Sequence, residues 1–327
     1  MTTVRQPLCL ELLETRDLPS GGLGLVDLAR PDSLINWYQA EARSVVTNIA
    51  EISSIPKRWD LVLVGTWYVP SANLLAYMVG PGGTNPMPVA DQTTFQITSA
   101  YDGFFSGETQ VQLSVPTPMG WMQAAPTQFT MNGLVTPQGQ IRIDFTPTDP
   151  DQASVTGVGY MEFVDGSWRM TMQMASSSTP YVIHWAYMTK LTSGAIPTTA
   201  SGPTPVGMSP SAQWNGLLNT VWTLADTELF GSPGVGVFRI EGYDGGYFWG
   251  EGMGPTPFSV VGSMTPQGSL FLVLTPAGGS AVTRTGNLLL GSGGQWEMLF
   301  RSYEGSPALG AAWLLDLGSL DSKLRQF

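Results

Sequence analysis

Two glutamates stand in matching surroundings along this chain and offer the first chemistry to weigh. Glu108 and Glu251 each follow a glycine, a few residues after an aspartate, Asp102 or Asp244. Carboxylates whose environments push their pKa values apart can act as acid and base on a glycoside. Both aspartates also stand in Asp-Gly turn sequences, where the side chain bonds to nearby backbone, so a structural role is the alternative. His184 is the one histidine of the chain. Trp185 beside it takes the opposite face of an alternating strand, and Ala312 occupies the matching place in the second half. A hydrogen-bonded or surface histidine is therefore the plainer expectation. Asp149-Pro150-Asp151 supplies too few carboxylates for calcium, and Ala277-Gly278-Gly279 replaces it further on. No P-loop, dinucleotide fingerprint, nucleophile elbow or H-E-x-x-H motif occurs. Catalytic residues stay unassigned, and neither a metal nor a cofactor is expected.

Counting excludes further classes. A lone Cys9 cannot form an intramolecular disulfide, a zinc finger or a redox pair, and a single histidine removes multi-histidine metal centres. A net charge of -11 argues against nucleic acid, whose phosphates need a basic stripe, and against anionic lipid surfaces. No apolar run approaches the ~18 residues of a membrane-spanning helix. Only 12% of residues are charged while Gly numbers 39 and Pro 25, so the chain must bury rings and branched residues between many turns. That composition predicts β structure.

An apolar pattern is sharper than any polar one. Trp168-Arg169-Met170-Thr171-Met172-Gln173-Met174 alternates strictly, with Trp and Met on one face. The second half keeps that set as Trp296, Met298 and Phe300. Met side chains adapt to ligands of varied shape, so such a wall could line a binding cavity. With Trp67, Trp185, Trp222 and Trp313, the expected ligand-binding set is Trp67, Trp168, Met170, Met172, Trp185, Trp222, Trp296, Met298, Phe300 and Trp313. Small barrels also fill themselves with side chains, so a packed core is the other reading of the same pattern.

The elements that would position these residues come in two copies. Tyr101-Asp102-Gly103 and Gly107-Glu108 return as Tyr243-Asp244-Gly245 and Gly250-Glu251, and Thr136-Pro137-Gln138-Gly139 as Thr265-Pro266-Gln267-Gly268. Gly166-Ser167-Trp168 returns as Gly294-Gln295-Trp296, and Trp185 as Trp313. A repeat of roughly 105 to 135 residues is a whole domain. Each copy reads as about eight short strands bounded by turns, the signature of an antiparallel up-and-down barrel. In the first copy the strands are expected over 61–69, 93–100, 104–115, 129–135, 141–145, 154–164, 168–175 and 182–189. Stretches near Gly80–Val89 and Pro116–Pro126 have no counterpart and read as loops. The expected division is a leader over 1–26, an amphipathic helix over 27–56, barrels over 57–191 and 214–318, a linker over 192–213 and a tail over 319–327.

Two resemblances add to this. Leu10-Glu11-Leu12-Leu13-Glu14-Thr15-Arg16-Asp17-Leu18-Pro19-Ser20 resembles the export motif near the start of many planctomycete surface and secreted proteins, which implies an extracytoplasmic location. Gly65-Thr66-Trp67-Tyr68 after a helix resembles the first strand of the calycin group: lipocalins, fatty-acid-binding proteins and avidins. That likeness implies a tryptophan closing one barrel end and a cavity for a small, largely apolar ligand. Lys190 would be the basic partner of Trp67, and the second copy offers Asn219-Thr220-Val221-Trp222 with Asp316. The expected function is non-catalytic binding of an apolar or amphiphilic small molecule or a surface glycan. The alternatives are a cell-envelope interaction protein with solid barrels, or a carboxylate-dependent isomerase, cyclase or glycoside-acting enzyme.

Overall fold

A computed structural model describes residues 58–301, apart from 72–73, 102, 137–138, 196–211, 231–233, 266–267 and 291–295, together with 322–326. The export motif, the helix expected over 27–56, most of the linker and Trp313 lie outside the described residues.

The first sheet follows a short helix α1 (Arg58–Leu63) and holds ten strands. They are β1 (Gly65–Tyr68), β2 (Leu75–Val79), β3 (Met87–Tyr101), β4 (Phe104–Thr117), β5 (Gly120–Gln123), β6 (Thr127–Val135), β7 (Gln140–Pro147), β8 (Val155–Val164), β9 (Ser167–Ser176) and β10 (Tyr181–Lys190). Its order is β1-β3-β2-β10-β9-β8-β7-β6-β4-β5, all antiparallel, with further pairings β1–β10 and β3–β4. β1 and β2 each pair with both β3 and β10, so they share one strand position as successive segments. Pairings then run from β1 through β3, β4, β6, β7, β8, β9 and β10 and return to β1. This curls the sheet around one core containing Trp67, Phe95, Met131, Ile143, Met170 and Met172.

The second sheet is a closed eight-strand barrel. After a 3-10 turn (Ala212–Leu217) come β11 (Val221–Asp226), a one-turn helix α2 (Thr227–Phe230), β12 (Val235–Asp244), β13 (Tyr247–Met253) and β14 (Pro257–Met264). β15 (Ser269–Pro276), β16 (Val282–Leu290), β17 (Trp296–Arg301) and β18 (Ser322–Gln326) complete it.

The recurring sequence motifs turn out to be structural devices. Gly139 and Gly268 hold positive φ of 87° and 85° in the Thr-Pro-Gln-Gly turns, a conformation glycine adopts without a side-chain clash. In both turns the glycine N–H donates to the threonine carbonyl, and the next residue's N–H donates to the threonine Oγ1. A Cβ on either glycine would meet a leading tryptophan, Trp59 at 3.2 Å or Trp214 at 3.5 Å. Those tryptophans pack edge-on against Trp168 and Trp296, closing one end of each unit. Gly107 and Gly250 recur for lack of space, since a Cβ would come within 2.0 Å of Gln96 O and 1.9 Å of Arg239 O. The Asp165-Gly166 signal gives the two-residue β8–β9 hairpin, with φ of 50° and 80°.

Several expectations need correction. Leu61 to Leu63 lie in α1, and the strand starts only at Gly65. The helix is held there by the Trp67 indole, which donates to Leu63 O at 2.8 Å. The stretches read as loops are partly extended: β3 begins at Met87, and Pro116–Pro126 contains the β5 hairpin. The barrel's closing strand falls at Ser322–Gln326, inside the segment expected to be a tail.

The largest correction concerns β10. Register with β2 and β9 turns Val182, His184, Ala186 and Met188 inward, and Tyr181, Ile183, Trp185 and Tyr187 outward. Trp185 is nevertheless buried, because the outer faces of β9 and β10 pack against the second barrel. Tyr77, Val79, Ile183 and Trp185 meet Tyr247, Val261, Phe271 and Val273 in one apolar cluster. Polar contacts fix the match: Trp185 N donates to Tyr247 Oη at 2.8 Å, Tyr247 Oη donates to Leu75 O at 2.6 Å, and Gln173 donates to Ser263 O at 3.0 Å. Burial pushes the Tyr247 phenol well above its ordinary value, which keeps that donor proton in place. Tyr77 also donates to Asp244, one of the paired hairpin aspartates.

Candidate functional site

Inside the first sheet, at the end away from Trp59 and Trp168, lies a cavity of about 290 Å³. Most of its wall is apolar: Met78, Val111, Leu113, Phe129, Phe145, Val155, Met174 and Val182. Set into that wall is a polar group contributed by three strands, with Asp91 and Thr93 from β3, Thr109 from β4 and His184 from β10. All four are buried, none more than 4% exposed. Thr93 Oγ1 donates to Asp91 Oδ1 at 2.8 Å, and His184 Nδ1 lies 3.0 Å from Asp91 Oδ2. Thr109 Oγ1 points at Met131 Sδ, 3.2 Å away. The exposed residues Asp151 and Gln152 of the β7–β8 loop stand at the rim. An apolar chamber with a few convergent polar groups is the usual form of a small-molecule site.

The second barrel fills the corresponding space. Pairings align Trp67 and Phe95 with Trp222 and Phe238, and the Gly107 and Gly250 positions match. By this alignment Asp91, Thr93, Thr109 and Val111 correspond to Gly234, Gly236, Gly252 and Gly254. Phenylalanines occupy the room those glycines leave. A Cβ at Gly236 or Gly254 would fall 2.6 Å from the Phe230 ring, and one at Gly252 would fall 2.2 Å from Phe258. Phe230 and Phe258 stack edge to face with centroids 5.7 Å apart. Deeper in, Arg284 stands where the first unit has Gly157, and its guanidinium forks onto Asp226 at 2.8 and 2.9 Å. Both ends of this ion pair are buried.

The residues expected to bind ligand are distributed otherwise. Trp67, Met170 and Met172 are core of the first sheet, and Trp168 closes its far end against Trp59. Trp222, Met298 and Phe300 are core of the second barrel, while Trp296 packs on Trp214. Trp185 lies between the units, and Trp313 lies outside the described residues. None of the described members lines the cavity; Met174, the last residue of the alternating strand, does. His184 is neither exposed nor isolated, since strand register aims it inward at Asp91. Asp91 carried no signal in the sequence except a single acidic residue inside a β-rich run. Lys190 does reach Trp67, with Nζ 5.7 Å from the ring centroid, and it donates to Val62 O at 2.6 Å. Desolvation pulls its pKa below the ordinary lysine value. Glu108 and Glu251 stand exposed on outer faces. Among the described residues no cluster of three or more metal-ligating side chains occurs.

No protein-family model matches the chain, and no curated protein does. Among solved structures, one that bears a likeness is a protein of unknown function from the DUF3598 family of Nostoc punctiforme. It is 12% identical over 81% of this chain and 95% of that one, with a TM-score of 0.24. A likeness of that size carries no argument about function.

Proposed function

We propose that the protein is a non-catalytic binding protein that holds one small, largely apolar molecule in the cavity of its first unit, with the second barrel as a self-filled brace. One observation carries the reading. Where the first unit places Asp91, Thr93, Thr109 and Val111 around a cavity, the second places four glycines and packs phenylalanine into the gap. A duplicated barrel that fills itself in one copy and stays open in the other points to use of the open space. Both units are read here as calycin-like barrels, each closed at one end by tryptophan, and the leader motif is read as directing export.

The test is stoichiometry. A fluorescent apolar probe should bind once per chain, and Val111→Phe, which extends a ring into the cavity, should remove that binding while leaving the fold intact. Phe230→Ala should unplug the second barrel and raise the count toward two. Probe binding that survives Val111→Phe unchanged would overturn the assignment.

A second reading, as an interaction protein, rests on the β4–β5 hairpin. Met119 is 98% exposed, and Trp121 and Met122 are exposed beside it. No charged residue occurs between Glu108 and Arg142. Such a tip would suit an apolar partner surface.

A further inference from the structure

We propose, resting on the binding reading above, that the ligand of the first unit is an amphiphile with an amine head group, and that the cavity discriminates against carboxylic acids of the same chain length. Charge sets the preference. Two carboxylates face the space, Asp91 in the buried wall and Asp151 at the rim. The single basic group among the described lining residues is the His184 imidazole; none of them is lysine or arginine. Acidic groups therefore outnumber the basic one two to one around the space. A chain that carries -11 overall adds a field of the same sign at the entrance.

An acid entering this space would bring a like charge into a low-dielectric wall, where repulsion is strong and desolvation is uncompensated. An ammonium also pays to leave water, but the Asp91 and Asp151 carboxylates attract it and offset that cost, and Thr93 and Thr109 add hydroxyl oxygens among the polar lining groups. Size is also specified. At interior packing density of about 0.75, a 290 Å³ space accepts on the order of 220 Å³ of ligand. That is about a decyl to dodecyl chain with its head group.

The experiment uses the full chain and three probes with the same tail: dodecylamine, dodecanol and dodecanoate, each below its critical micelle concentration, displacing a fluorescent apolar probe. At moderate salt, which screens the surface but not the interior, the amine should bind about tenfold or more tighter than the alcohol, and the alcohol tighter than the acid. Asp91→Asn should shrink the amine preference. Asp151→Asn, on the exposed rim where folding is not at risk, should narrow the amine–acid gap in the same direction when the comparison is repeated at low salt. Val111→Phe should abolish amine displacement, which separates the cavity from adsorption to the acidic surface. Acid binding equal to or tighter than amine, or an ordering untouched by both aspartate variants, would overturn the proposal while leaving the binding reading standing. Failure of all three compounds and of the probe to bind would remove the binding reading itself.

Discussion

At the scale of single residues, the two copies handle one buried position in opposite ways. Gly157 gives its place to Met174 and Met172, which a Cβ there would meet at 3.1 and 3.2 Å, whereas Arg284 fills the equivalent place and must be neutralised by Asp226. Both groups are desolvated, so the pair is sensitive to loss of one member. Arg284→Met should strand the Asp226 carboxylate and cost about 3–5 kcal/mol, read as a lower denaturant midpoint. Combining it with Asp226→Leu should recover most of that loss, since an apolar pair of similar volume needs no charge compensation. A double variant no more stable than the single one would show that Asp226 has a role beyond the pair. One such role is visible, because Asp226 also accepts the Leu229 N–H at 2.9 Å, helping to form the turn that carries Phe230.

At the scale of elements, the β4–β5 hairpin is a part of the first sheet with no counterpart among the described strands of the second barrel. β4 contributes Val111 and Leu113 to the cavity, then runs on to pair with β5, whose four residues are all exposed. Burial of apolar side chains cannot be what holds this extension. Met119→Ser, Trp121→Ser and Met122→Ser together should therefore leave stability within about 0.5 kcal/mol of the wild type. Retention on a hydrophobic-interaction column should fall sharply in the same variant. Unchanged retention would show that the accessible apolar surface lies elsewhere and would remove the ground for the interaction reading. The closed ends behave oppositely: the Thr-Pro-Gln-Gly turns, α1 and the 3-10 turn form a packed floor in both units, where the same glycine–tryptophan contacts call for the same residue types.

At the scale of the whole molecule, the two units are joined face to face. Gln173, on the outward side of an alternating strand, is 4% exposed because the second barrel covers it, with Ser263 O and Ser269 O accepting from its amide. Calorimetry should accordingly show one unfolding transition for the two units. Tyr247→Phe removes the acceptor of the Trp185 N–H and the donor to Leu75 O, both in the buried seam. Leaving them unpaired should cost about 1–3 kcal/mol and lower the melting temperature. Two resolved transitions in the wild type would show that the seam does not couple the units.

Much of the architecture was legible in the residues themselves. Alternation in Trp168 to Met174, the Asp165-Gly166 turn and the repeated Thr-Pro-Gln-Gly segment depend on local backbone geometry, and local geometry is written in neighbouring residues. Composition likewise settled the all-β class. The face of β10 was not legible, because both of its sides are apolar: Met188 and Ala186 enter one core, while Ile183 and Trp185 enter the seam between units. Only register with β2 and β9 decides which side is inside, and so brings His184 to Asp91 across 92 intervening positions of chain order. The cavity was equally hidden. It exists because four glycines of one copy have no equivalents in the other, a difference that acquires meaning only when the rings of Phe230 and Phe258 are seen to occupy the space.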